Sequence, residues 1–178
     1  MAEADSRRLA VEGEFLADEV IWLDNRPQPG AAASKAGSGQ SGFYVLMPFQ
    51  IAGMENTVIW VQRGWAPRNR EDRMALPPIN TPSGKVRIEG IGIAQPDRVF
   101  ELGDGGAGSN GPVRIQQNLD LTKEAGRHRW QQIPFVLKQM SEVEKDGLMR
   151  SWTAAASGVD RHYAYAFQWF ALALSAFL

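Results

Sequence analysis

The chain has 178 residues, 44% hydrophobic and 22% charged, with a net charge of −1, which suits one globular domain with a real core and offers no basic field to nucleic acid. It has no cysteine, which removes a disulfide framework, a thiolate zinc site and a thiol nucleophile. The opening "MAEADSRRLAVEGEF" contains no apolar signal region.

Alternation of Leu9, Val11, Gly13 and Phe15 in "RLAVEGEF" predicts a half-buried first strand. "VIWLDN" (residues 20–25) is a second short strand that runs into the turn cluster "RPQPG". "GFYVLMPFQI" (42–51) and "NTVIWVQRGW" (56–65) are strong strands, and "AGME" between them has the character of a hairpin turn. "GKVRIEGIGI" (84–93) alternates Val86 and Ile88, then Gly90 and Gly92, and glycines inside a strand mark a bulge or tight curvature. "VRIQQ" (113–117) is a sixth strand. "NLDLTKEAG" (118–126) reads as a short helix, with Asp120 as its cap, Glu124 in its body and Gly126 as its stop. "WQQIPFVLKQM" (130–140) is a seventh strand, in which Pro134 argues for an edge position or a bulge. "DGLMRSW" follows as a short turn and strand.

Many short strands beside one helix predict a mainly β (α+β) domain. The expected form is a curved, mainly antiparallel sheet or barrel with one short helix, covering residues 1–157. Two formal G-x-G-x-x-G matches, Gly37/Gly39/Gly42 and Gly103/Gly105/Gly108, fall in low-complexity loops that lead into strands. A dinucleotide site needs a helix N-terminus there, so neither match implies phosphate binding.

His128, in the polar stretch "GRHRW", is expected to be solvated. No G-x-S-x-G, HExxH or EF-hand spacing is present, so an enzyme reading has little support. "QRGWAPRNREDR" is denser. Arg63, Arg68, Arg70 and Arg73 crowd around Gly64, Trp65 and Pro67, with Glu71 and Asp72 as partial counter-charges. The pattern reads either as a structural strand end with solvated arginines or as a surface for a protein partner or an anionic group.

The tail "HYAYAFQWFALALSAFL" has no charged residue after His162. Its 16 residues from Tyr163 onward make a helix of about 24 Å, against a hydrocarbon core of about 30 Å. The run reads as the start of a C-terminal transmembrane helix, truncated here, over residues 158–178; a buried core helix is the alternative. In helical spacing His162, Ala166, Trp169, Ala173 and Ala176 share one face. A histidine at the head of such a face suits either an axial haem ligand or an interfacial residue within an aromatic belt of Tyr163, Tyr165 and Trp169.

"LAVEGEFL", "VIWVQRGWAPRN", "RIQQNLDL" with "DGLMRSW", and "HYAYAFQWFALA" together resemble the SURF1 (Shy1) family, assembly factors of cytochrome c oxidase. Arg63, Gly64, Trp65 and Pro67 occupy the places of the family's Arg-Gly-Trp-x-Pro stretch. Gln62 stands where many members have asparagine, and Ala66 replaces a valine or isoleucine. The resemblance implies a non-enzymatic membrane protein that binds haem a and helps to deliver it to subunit I. It maps a proposed haem-iron ligand onto His162, beside Tyr165, Ala166 and Trp169. It further implies a bacterial inner-membrane location with the β-domain in the periplasm, or alternatively the mitochondrial inner membrane. Haem a synthase is a further candidate partner. The competing reading is a scaffold that stabilises subunit I during assembly without binding haem.

Overall fold

The computed structural model describes residues 7–30, 40–72, 75–99, 114–143 and 145–152. The strands are β1 (Arg8–Phe15), β2 (Ile21–Pro27), β3 (Ser41–Ile51), β4 (Thr57–Pro67), β5 (Val86–Ile93), β6 (Arg114–Gln116) and β7 (Gln131–Gln139). A 3₁₀ turn (Ala17–Glu19) follows β1, and the helix α1 (Leu121–Arg127) lies between β6 and β7. The sheet order is β1-β5-β7-β4-β3-β2-β6, and β1 also pairs with β3. That last pairing closes five strands, β1-β5-β7-β4-β3, into a barrel. Most neighbours are antiparallel; β4–β7 and β2–β6 are parallel.

The strand periodicity explains the layers. Phe43, Val45, Met47 and Phe49 point to one side of β3, and Tyr44 and Leu46 to the other, as a period of two requires. Phe15, Met47, Phe49, Ile59, Val61, Ile88 and Leu137, drawn from all five barrel strands, fill the interior. Tyr44, Leu46, Trp60, Trp65 and Val136 form an outer layer that β2 and the Leu119–Leu121 end of the helix cover. β3 and β4 are therefore buried on both faces, and their continuous apolar runs are what such strands need.

Closure depends on a close approach. A Cβ on Gly13 would lie 1.9 Å from the Gln50 carbonyl oxygen, where β1 meets β3. The β3–β4 hairpin turns with Gly53 and Asn56 at positive φ, 78° and 50°, a conformation glycine and asparagine tolerate.

The helix differs from its expected form in its bounds and its stop. The helix is Leu121–Arg127, and Gly126 lies inside it rather than ending it. Asp120 does cap it, accepting from the amides of Thr122 and Lys123 at 3.0 and 3.1 Å. Of the two places expected for Pro134, an edge or a bulge, it takes the bulge: β7 sits between β4 and β5, and Val58 and Trp60 pair with Gln132 and Val136, so extra β7 residues oppose Ile59. Residues 31–39 and 100–113, which hold most of the two glycine-rich loops, lie outside the described residues, as does the 158–178 segment. Among the described residues no helix is long and apolar enough to cross a membrane.

Candidate functional site

The Arg63-Gly64-Trp65 stretch is built around a β-bulge. Val45 pairs with Gly64 and Leu46 with Gln62, which leaves Arg63 as the extra residue on β4. The bulge shifts the alternation by one. Val61 and Arg63 both face the interior, and Trp65 turns to the outer layer beside Trp60, while Ala66 points inward again. Each motif residue then has one job.

Arg63 is completely buried. It donates to Thr81 Oγ1 at 2.8 Å and to the Asn80 carbonyl at 3.1 Å, and its guanidinium sits 4.6 Å from the Phe15 ring centroid. Its anionic partner is Asp146 at 3.5 Å, equally buried. Asp146 also pairs with Arg150 and accepts from the Leu148 amide at 3.0 Å. Two buried guanidiniums thus share one buried carboxylate. Burial, only partly opposed by Asp146 and reinforced by Arg150, holds the Arg63 guanidinium down to about 10.

Gly64 has no side chain because none fits. A Cβ there would meet Leu148 Cβ at 2.7 Å and the Met149 carbonyl at 3.1 Å. Trp65, 1% exposed, exchanges both backbone hydrogen bonds with Met149 at 2.8 Å and donates its indole N–H to the Arg26 carbonyl at 3.0 Å. Gly42 lies under that indole; a Cβ there would be 2.6 Å from it. Pro67 ends β4 and is exposed.

The strap that these residues hold is 146–152, the "DGLMRSW" stretch. It crosses the end of β4 and finishes on Trp152, whose indole N–H donates to the Gln139 carbonyl at 2.8 Å and whose ring meets Tyr44 edge-on at 5.6 Å. The two sequence motifs that stand far apart in the chain form one latch.

Sequence reasoning missed two further buried arginines. Arg26, 1% exposed, follows a second bulge, in which Asp24 and Asn25 (φ 59°) oppose Phe43. It donates to the carbonyls of Asp97 and Gln117 and lies 5.5 Å from the Tyr44 ring centroid. Burial lowers its guanidinium and raises the Tyr44 hydroxyl. Arg114 pairs with buried Glu124 of the helix and lies 3.2 Å from Glu19. A bulge or a two-residue tie has no periodic signature, so the only available signal was an arginine beside apolar strand residues.

Of the other sequence candidates, Arg68 pairs with Asp24, and Arg70 is exposed. Arg73 lies outside the described residues. The expectation of solvated arginines therefore fails for Arg63. It fails for His128 too: the ring stacks on Trp130 at 3.8 Å, its Nε2 is 3.5 Å from Glu19, and its side chain is 16% exposed. Among the described residues no group of acidic or histidine side chains is arranged to hold a metal ion. His162, Tyr165, Ala166 and Trp169 lie outside the described residues.

With the latch in place, the comparison with known families is decisive. The SURF1 family model matches residues 1–174, almost the whole chain. The chain belongs to the SURF1 family. No curated protein matches it. SURF1 membership implies a part in the assembly of cytochrome c oxidase, as an assembly factor and not as a known enzyme. Three of the stretches that carried the resemblance fall, in the SURF1 fold seen here, on β1, on β4 and on the β6–α1 region with the strap, and the fourth lies outside the described residues.

Proposed function

We propose that this SURF1 protein binds haem a through His162 and helps to deliver it to cytochrome c oxidase subunit I. The observation that carries the reading is the latch. It fastens residues 146–152 to the barrel, and His162 follows Trp152 by ten positions. A rigid β-domain that grips the chain at the root of its apolar tail can set where a tail ligand stands.

His128 is the only histidine among the described residues, and its ring is committed to Trp130 and Glu19. The haem-binding set that the family resemblance implies is His162, with Tyr165, Ala166 and Trp169 beside it in helical spacing. Haem a would supply the iron. The chain would supply an imidazole, an apolar groove, and arginines such as Arg161 for the propionates. Residues 158–178 would enter the membrane, with the β-domain in the bacterial periplasm and subunit I, and also haem a synthase, as partners.

The test is an absorption spectrum of the protein purified from cells that make haem a, compared with His162→Ala, with circular dichroism as the folding control. Loss or displacement of the Soret band in the folded mutant is the expected result. An unchanged haem content and Soret position would favour the scaffold that holds subunit I without binding haem.

A further inference from the structure

The outward face of β1, β5 and β7 carries an uneven charge. Leu9 and Val11 pack against the barrel interior, so Arg8, Ala10 and Glu12 point outward, and all three are exposed. The register lays rows across the strands. Arg8 pairs with Ile91 and Ile91 with Lys138, Ala10 pairs with Glu89, and Glu12 pairs with Arg87. Met140 joins the second row, donating its amide to the Glu89 carbonyl at 2.8 Å, and is 42% exposed. The carboxylates are matched: Arg87 lies 3.6 Å from Glu12 and from Glu89, and Arg150 lies 3.9 Å from Glu142 beyond β7. Arg8 and Lys138 have no carboxylate partner among the described residues. The Arg8–Ile91–Lys138 row is therefore a strip of surplus positive charge bordered by apolar side chains. Both ends of the described chain reach this strip. The Arg7 carbonyl accepts from the Gly92 amide at 3.0 Å, and the ring of half-buried Trp152 lies 5.0 Å from the Lys138 ammonium. Beside the strip a groove of about 500 Å³ runs between Arg8, Ala10, Glu89, Met140 and Ser141.

We propose that this strip rests on an anionic lipid surface, with Arg8 and Lys138 against lipid phosphates and Met140 and Trp152 at the level of the headgroups. The chemistry is that of a membrane interface: cations are drawn to the negative surface within a Debye length, and tryptophan sits where apolar and wet regions meet. The groove beside Arg8 admits a phosphate headgroup to its guanidinium, which suits phosphate by its paired donors. The proposal rests on the reading of residues 158–178 as a membrane segment, because that reading brings lipid near Trp152. The tether alone does not fix the domain there. Residues 153–161 are nine residues, a reach of up to about 30 Å, against a Debye length of about 8 Å. A domain on so long a lead can turn any side to the lipid. The unmatched strip at the root of the lead is the side that charge selects.

The chain has no cysteine, so a single introduced cysteine carries a nitroxide to a chosen place. The full chain is reconstituted into vesicles of phosphatidylcholine and phosphatidylglycerol in equal parts. The label sits at Met140→Cys, at Ala173→Cys in the tail, or at Ser83→Cys, an exposed position beyond the opposite end of β5 from Ile91. Collision rates with oxygen, which partitions into lipid, are compared with those of a water-soluble nickel chelate. The expected oxygen-to-nickel ratio is several-fold higher at Met140 than at Ser83. It should fall to the Ser83 value in vesicles of phosphatidylcholine alone and in Arg8→Glu/Lys138→Glu. Equal ratios at Met140 and Ser83 in the anionic vesicles overturn the proposal, which is also the result if a protein partner covers this face. A raised ratio that survives both the neutral lipid and the charge reversal overturns the role of the two cations. The Ala173 label separates this proposal from the tail reading. A lipid-exposed Ala173 label with an aqueous Met140 label rejects the strip alone, and an aqueous Ala173 label rejects the tail reading whatever Met140 reports. Circular dichroism checks the fold of each variant; should the double variant not fold, the change of lipid tests the charge without it.

Discussion

The two arginines around Asp146 make an unequal pair of experiments. Asp146→Asn leaves Arg63 and Arg150 buried with no carboxylate between them, and breaking a buried pair this way costs about 3–5 kcal/mol. Arg63→Met removes the surplus cation and leaves Asp146 with Arg150, so it should cost clearly less in the same urea titration. A larger loss for Arg63→Met would mean that its bonds to Thr81 and Asn80, and not the charge balance, dominate. The sign of the Arg63 shift supports this order. Its folded value, about 10, lies below the ordinary guanidinium range, so the unfolded chain holds that proton more tightly. Burying the charge costs stability at every pH below about 10, and the cost fades only as the pH rises above it. Arg63 should therefore add no pH dependence to stability near neutrality. Trp65→Ala removes a fully buried ring and its bond to Arg26, a loss of about 3–5 kcal/mol. A change under about 1 kcal/mol would contradict the burial described here.

At the scale of elements, the bulge and the strap depend on each other. The bulge lets Trp65 face outward, and Gly64 leaves room for Leu148 to lie against β4. Gly64→Ala forces the strap to shift, because its Cβ would meet backbone as well as side chain; overpacking of this kind costs about 1–3 kcal/mol. Hydrogen exchange reads the effect directly. The Met149 amide, bonded to the Trp65 carbonyl at 2.8 Å, should lose protection while the interior amides of β3 keep theirs. Equal protection of Met149 in both proteins would show that the strap does not rest on the absence of a Cβ at position 64. The helix was legible because Asp120 places a carboxylate at the N-cap, a local signal. Gly126 misled because glycine ends a helix only where a left-handed residue is needed; here the chain leaves through an extended His128.

At the scale of the molecule, closure of the barrel is the cooperative event. β1 bonds to β5 on one side and to β3 on the other, and Gly13 is where the second contact is tightest. Gly13→Val cannot be absorbed by side-chain movement, since the clash is with the Gln50 carbonyl. It should open the β1–β3 seam, expose the Phe15–Phe49 pair, and lower the denaturation midpoint more than Gly53→Ala, whose site has nothing within 4 Å. A smaller loss for Gly13→Val than for Gly53→Ala would mean that closure contributes little to stability.

The sequence by itself determined which segments become strands, because alternation and apolar runs are local properties of a chain laid on a pleated sheet. It also carried the family, through Arg63, Gly64, Trp65, Pro67 and the tail. It could not reveal that Arg63 lies inside, since one extra residue in a strand reverses every side chain beyond it without altering the composition. Nor could it show that residues 146–152 return to β4, or that Asp146 serves two arginines. Those are long-range pairings, decided only when the barrel closes and the desolvated charges must find one another.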